Sequence, residues 1–158
     1  MSEQGADPQP SNGAASANEP LAARLARVGR EIGDREREHA SSLARAEELA
    51  RALHGDVESA LASFHSAASE AGAPHLRVDL AAPRPDDKHL RSIQFELSRG
   101  RHRAIVTVKS KGEVTLVGPF RAGKQEGPCK SFLIDASAEI GAALGEFLES
   151  FLQDAAAP

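Results

Sequence analysis

Two spacings of apolar residues divide the chain into helical and extended parts. From Pro20 onward, large apolar residues recur every three or four positions, which is the spacing of one helical face. From about Leu90 to Phe120, apolar and polar residues alternate, which is typical of strands with one buried side. Helical spacing returns after Asp135. The pattern predicts an α+β fold with a long N-terminal helix, an antiparallel sheet of four to five strands and a C-terminal amphipathic helix.

The predicted N-terminal helix has two runs of apolar positions, separated by the charged stretch 34–39. The first run consists of Leu21, Leu25, Val28 and Ile32, and the second of Leu43, Ala46, Ala50, Leu53, Val57, Leu61, Phe64 and Ala68. A continuous helix to residue 71 would be about 75 Å long, more than a domain of this size can cover. Part of it is therefore expected to project, fold back or pair with another chain. Gly33-Asp34 and Gly55-Asp56 are candidate breaks, because glycine weakens a helix and aspartate caps a new one.

Turn chemistry predicts how the strands align. A two-residue Arg99-Gly100 turn would place Phe95 opposite Ala104 and Glu96 opposite Arg103. In the next hairpin, a three-residue loop over 110–112 would end in a glycine with left-handed backbone and keep one apolar face continuous. A short fifth strand is expected over 129–134.

The opposite face of this sheet is also rich in β-branched residues. It would hold Ile105, Thr107, Thr115 and Val117, which form too apolar a surface to be left in water. We expect the C-terminal helix on one face of the sheet, and the long helix or a second subunit on the other.

The expected organisation is one compact domain with a tail. Residues 1–19 have no large apolar residue after Met1, so this tail is predicted to be disordered. Residues 20–72 form the helical segment, and residues 73–154 form the sheet with its closing helix. At 158 residues, the chain is long enough for one ordinary core.

Charge is distributed unevenly along the chain, although the formal net charge is only −4. Residues 1–72 hold seven Lys/Arg against twelve Asp/Glu, and residues 73–134 hold twelve against six. Residues 135–158 hold five acids and no base. A cationic middle between two anionic segments suggests either internal neutralisation or a surface for an acidic partner.

Several features indicate the compartment. The single Cys129 excludes an intramolecular disulfide framework and fits a reducing environment. No apolar run approaches the ~20 residues that a membrane span needs. The N-terminus has neither the basic nor the hydrophobic region of a signal peptide. We therefore expect a cytoplasmic protein without a membrane partner.

The segment from Gly118 to Lys124 matches a phosphate-binding loop up to its lysine, and it follows a predicted strand. The next residue is Gln125, where the motif requires Ser or Thr to hold Mg²⁺. Gly127-Pro128 prevents the helix that should follow, so nucleotide hydrolysis is disfavoured while simple anion binding stays open.

Basic residues also suggest an anion- or partner-binding patch on the rim and outer face of the sheet. Its candidate members are Arg101, Arg103, Lys109, Lys111, Arg121, Lys124 and Lys130. Arginine clusters bind phosphates and carboxylates, but readers of single-stranded nucleic acid usually add stacking aromatics, and the chain has no Trp or Tyr. An acidic protein partner therefore fits at least as well as nucleic acid.

Catalytic and metal-binding patterns are weak. His39, His54 and His65 lack the i, i+4 spacing of a zinc-binding helix, and a nucleophilic Cys129 needs a histidine base that no spacing supplies. The sequence indicates no cofactor, no metal site and no catalytic residue.

The leading hypothesis is a non-enzymatic interaction or adaptor module that self-associates or binds a protein partner through its long helix and a sheet face. The predicted self-association residues are Leu25, Val28, Ile32, Leu43, Leu53, Ile105 and Val117. The alternatives are anion or nucleic-acid binding through the basic rim, and an enzyme that uses Cys129 or the Gly118–Lys124 loop.

Overall fold

A computed structural model describes residues 18–86, 91–123 and 127–156 of the chain. The predicted tail therefore lies outside the described residues, apart from Asn18 and Glu19. By its contacts the chain divides into two units, Met1–Glu38 and His39–Pro158. The elements in chain order are α1 Leu21–Glu70, β1 Asp79–Leu80, β2 Arg84–Pro85, β3 Ser92–Arg99, β4 His102–Lys109, β5 Glu113–Arg121, β6 Cys129–Leu133 and α2 Ser137–Ala156.

The predicted α+β fold is confirmed. The strands form one antiparallel sheet in the order β1-β3-β4-β5-β6, and the short β2 also pairs with β3. Strands β1 and β2 are only two residues long each, and both pair with β3. In the 129–134 region, β6 forms one edge of the sheet, as predicted.

Helix α1 is unbroken over 50 residues, so neither candidate break ends it. Gly33 and Gly55 each cost a helix only about 1 kcal/mol relative to alanine. The apolar runs on both sides favour helix throughout, and two such costs are too small to interrupt it.

One sheet face carries the core, and both helices contribute to it. This first face consists of Ile93, Phe95, Leu97, Ala104, Val106, Val108, Val114 and Leu116. The same core contains Ala46, Ala50, Leu53, Val57 and Leu61 of α1, and Ile140, Leu144, Phe147, Leu148, Phe151 and Ala155 of α2. The His54 ring packs edge-on against the Phe95 ring, with the ring centroids 5.2 Å apart. This contact places α1 over β3.

The expectation that the long helix covers the opposite face is therefore wrong, and a second subunit on that face stays a prediction. In the described part of the chain, α1 and α2 share the first face, and no helix covers the second face. Ile105, Thr107 and Val117 are half-buried there, and the hydroxyl groups of Thr115 and Ser131 lie 3.0 Å apart.

The first hairpin has a different register from the predicted one. Its turn is Gly100-Arg101, so Arg99 pairs with His102 and Phe95 pairs with Val106. Gly100 is therefore the first residue of the turn and not the second. Its backbone is left-handed there, with φ +59°. The shift of two residues leaves each side chain on its predicted face, but Glu96 lies opposite Ile105 and not opposite Arg103.

The second hairpin has the predicted register. Val108 pairs with Val114, the loop covers residues 110–112, and Gly112 has φ +103°. A left-handed glycine at the end of a three-residue loop keeps the apolar face continuous across β4 and β5.

Candidate functional site

Four large apolar side chains lie exposed on one face of α1 in the first unit. We call Leu21, Leu25, Val28 and Ile32 the N-terminal stripe, and their exposed fractions are 68, 61, 43 and 46%. Their spacing of four, three and four residues places them on one side of the helix. Contiguous exposed apolar surface of this kind marks interaction sites more often than isolated exposed residues do.

The predicted self-association residues separate into three groups. Leu25, Val28 and Ile32 belong to the N-terminal stripe. Leu43 is half-buried against the core, and Leu53 is buried within it. Leu53 is therefore removed from the association surface, because its side chain is already used by the core of its own chain.

The other two members, Ile105 and Val117, face each other across β4 and β5 on the second face of the sheet. Both are half-buried. They lie on a surface without a helix, but no large exposed apolar side chain joins them in β4 or β5.

The predicted basic patch is divided between the two ends of β4. Arg101, Arg103 and Arg121, which we call the arginine cluster, lie at one end. There, His102 pairs with Arg121, and the Ala122 amide donates to the Arg101 carbonyl at 2.7 Å. Lys109 and Lys111 lie at the other end, about 24 Å away along the strand.

Intramolecular partners reduce the charge available at each end. Arg103 donates to the carbonyls of Gly100 and His102 at 2.6 and 3.0 Å. Glu113 lies 3.1 Å from the Lys109 ammonium and 4.0 Å from that of Lys111, so one carboxylate serves both cations. Arg101 and Arg121 are exposed.

The remaining predicted cations do not join either group. Lys130 lies on the edge strand β6, where it pairs with Leu116 across to β5. Lys124 lies outside the described residues. The seven residues therefore do not form a single patch among the positions that the structure describes.

The segment that resembles a phosphate-binding loop continues a strand. Gly118 through Arg121 are the last residues of β5, where a phosphate-binding loop would already turn toward a helix. Gly118 has φ +119°, its amide donates to the Pro128 carbonyl at 2.7 Å, and it lies against Arg103 and Ala104 of β4. The glycine therefore permits close contact between strands at the bulge there.

Cys129 is exposed at the edge of the sheet, beside a surface cavity of about 230 Å³ between β5, β6 and α2. The lining residues are Leu116, Gly118, Pro119, Pro128, Cys129, Lys130, Ala143, Glu146, Phe147 and Ser150, and none of them is a histidine. A thiol nucleophile needs a base within hydrogen-bond reach, and the only other ionisable side chains in the described wall of this cavity are those of Lys130 and Glu146.

His54 and His65 each join α1 to the segment around β1. The Val78 amide donates to His65 Nε2 at 3.0 Å, and His54 Nε2 lies 3.1 Å from the Ala81 carbonyl. Burial, and then the positive charge of Arg77, lower the pKa of His65 below its ordinary value. Both side chains act as structural links between the helix and the loop that leads into the sheet.

Within 18–86, 91–123 and 127–156, no three His, Cys, Asp or Glu side chains are grouped as a metal site would require. No helix in those ranges combines the length and hydropathy of a membrane span.

Comparison with models of protein families, with curated proteins and with solved structures gives no match for this chain.

Proposed function

We propose that the protein is a non-enzymatic interaction module that associates through the N-terminal stripe. The observation that supports this is the contrast along α1. Ala46, Ala50, Leu53, Val57 and Leu61 are buried in the core, whereas the four stripe residues are 43–68% exposed. An exposed row of Leu, Val and Ile gains free energy only when another surface covers it.

The form of the stripe specifies the kind of surface that fits. A row of side chains at spacings of four and three residues packs into the grooves of another amphipathic helix. Arg24 and Glu31 flank the row, so the partner must also accommodate charges of both signs at its rim.

Capture by the immobilised full-length chain tests the proposal. Both the purified chain and a native lysate are passed over it at two salt concentrations. A Leu25→Asp/Val28→Asp variant places two charges in the stripe and should lose the bound protein. The matched control is Ala23→Asp/Ala26→Asp, which adds the same charges to exposed positions outside the stripe and should retain it. Equal capture by the wild type and the stripe variant would contradict the proposal.

A second candidate function is anion binding at the arginine cluster. It is supported by the position of Arg101, Arg103 and Arg121 at the same end of strands β4 and β5, where Arg101 and Arg121 are exposed. Guanidinium groups suit phosphate and carboxylate oxygens, because they donate hydrogen bonds in pairs.

Fluorescence anisotropy with a labelled oligonucleotide and a labelled acidic peptide tests this second candidate. Binding should fall steeply between about 50 and 200 mM salt. It should also be weakened by Arg101→Gln/Arg121→Gln, and not by Lys109→Gln/Lys111→Gln at the far end of β4. Equal loss in the two variants would show a general charge effect and not a site.

A further inference from the structure

The two flanks of the N-terminal stripe differ in character. In heptad notation, the stripe residues alternate between positions d and a, the positions that meet a partner helix. Position g on one flank carries Arg24 and then Glu31. Position e on the other flank carries Ala22 and then Gly29. A well-matched partner therefore has opposite charges along one side of the contact and small residues along the other.

A second copy of the same segment satisfies both requirements when it runs antiparallel. One antiparallel alignment retains all four apolar layers. In it, Leu21 packs against Ile32 of the second copy, Leu25 packs against its Val28, and the two-fold axis generates the other two layers. Every stripe residue of one copy then meets a stripe residue of the other.

The same alignment places the charged flanks together. Arg24 lies opposite Glu31 of the second copy, and Glu31 lies opposite its Arg24, which gives two ion pairs across each dimer. Charged residues at these flanking positions set partner choice and orientation in paired helices. The apolar layers alone fix this alignment, and the ion pairs follow from it.

The small flanks also meet in this alignment, with Ala22 opposite Gly29 of the second copy. A Cβ added at Gly29 would have no atom within 4 Å in the protomer, so the described chain does not itself require a glycine there. Small residues on one flank allow the two helix backbones to approach closely on that side.

A parallel pair is disfavoured by like charges. There, position g of one helix faces position e of the next heptad, so Glu31 would lie opposite Glu36 of the second copy. Arg35, which follows Ile32 in the heptad pattern, would meet Arg35 of the second copy in the seam. The antiparallel alignment removes both contacts, since it moves Arg35 beyond the apolar layers.

We infer that the occupant of the N-terminal stripe is a second copy of the chain, bound antiparallel to give a symmetric dimer. This inference rests on the proposed function, because it names the partner of the same surface.

Disulfide cross-linking tests the orientation in the full-length chain. Cys129→Ser removes the native thiol, and Leu21→Cys and Ile32→Cys are then made in separate chains. In the antiparallel dimer these two positions are in contact, whereas the two copies of Leu21 are about 16 Å apart along the helix. A disulfide needs Cα atoms within about 7 Å of each other. The mixed sample should therefore form a covalent dimer, and each variant alone should not. Preferential cross-linking of Leu21→Cys with itself would overturn the inference in favour of a parallel pair.

Charge exchange provides a second test that leaves the apolar layers intact. Arg24→Glu should weaken dimerisation about tenfold, because it converts two attractive pairs into two repulsive ones. Arg24→Glu/Glu31→Arg should restore wild-type dimerisation, and the control Arg30→Glu on the outer side should have no effect. Failure of the double variant to restore dimerisation would also overturn the inference.

The outcomes distinguish this inference from the proposed function. If no cross-link forms and the purified chain stays monomeric, but the stripe variant still loses a protein from lysate, then the proposed function stands and the second copy is not the partner. If the stripe variant captures the same proteins as the wild type, the proposed function and the antiparallel dimer are both contradicted.

Discussion

Leu25 and Leu53 hold the same position of the heptad pattern in one continuous helix, but Leu25 is 61% exposed and Leu53 is 7% exposed. The local sequence gives both residues the same apolar character and the same helical setting. Only the sheet of the second unit distinguishes them, because it covers the later part of the helix. This contrast is the reason that we propose the earlier part of the helix as the surface for a partner.

Truncation of the two leucines should separate folding from association. Leu53→Ala should lower the free energy of unfolding by about 2–5 kcal/mol, since it leaves a cavity in the core. Leu25→Ala should change it by less than about 0.5 kcal/mol in dilute solution, since it removes an exposed side chain. Urea denaturation at low micromolar protein concentration measures both. A large loss for Leu25→Ala in the monomer would show that the stripe is already covered within the chain.

Enlarging a small residue tests the position of α1 on the first sheet face. Ala50 is fully buried and Ala52 is exposed on the same helix. Ala50→Leu should destabilise the fold by about 1–3 kcal/mol, because the added carbon atoms overpack the core. Ala52→Leu is the same substitution at an exposed position, so it should be nearly neutral. Thermal unfolding of the two variants compares them directly, and similar midpoints would contradict the described packing.

Gly118 should tolerate no side chain. A Cβ there would lie 3.0 Å from the Arg103 carbonyl oxygen and 3.1 Å from the Ala104 Cα, and φ is +119°. Gly118→Ala should therefore cost about 3 kcal/mol, from backbone strain and from the clash. Gly100→Ala serves as the control. Gly100 also has positive φ, but no atom lies within 4 Å of the added Cβ, so the cost should be about 1 kcal/mol. Chemical denaturation of both variants resolves the difference.

Stability should decrease as the pH falls through the range in which histidine titrates. The Val78 amide donates to His65 Nε2, so the folded state favours the neutral ring, and burial with Arg77 lowers its pKa. Below the ordinary pKa of 6.5, the unfolded chain therefore binds a proton that the folded chain does not, and the free energy of unfolding falls. Urea midpoints at pH 7.5 and 5.5 measure this effect. The decrease should be smaller for His65→Gln, and an unchanged pH dependence in that variant would contradict the assignment.

Local chemistry made much of the fold predictable. The Val108–Val114 register follows from the glycine at residue 112 and from the apolar alternation on both sides of it. In the first hairpin, one glycine lies between two arginines and suits either position of a two-residue turn. The same reasoning therefore predicted the wrong pair of turn residues. Both registers keep the side chains on the same faces, and hydrophobic patterning therefore could not decide between them.

Long-range packing was less predictable. Alternation shows that Phe95 and Val106 face a core, but it does not show which helix covers them. Both helices are amphipathic, and their placement on one face depends on tertiary contacts such as that of His54 with Phe95. The candidate basic patch was divided for a similar reason, because residues that are close in sequence, such as Arg103 and Lys109, lie at opposite ends of one strand.

Sedimentation equilibrium of the purified full-length chain is the most direct measurement of the central claim. The apparent mass should rise from the monomer value of 16.7 kDa toward twice that value as the concentration increases from about 1 to about 300 µM, a range suited to a weak dimer. The Leu25→Asp/Val28→Asp variant should remain at the monomer mass, and the Ala23→Asp/Ala26→Asp control should follow the wild type. A wild-type mass that stays at 16.7 kDa throughout would contradict self-association through the N-terminal stripe.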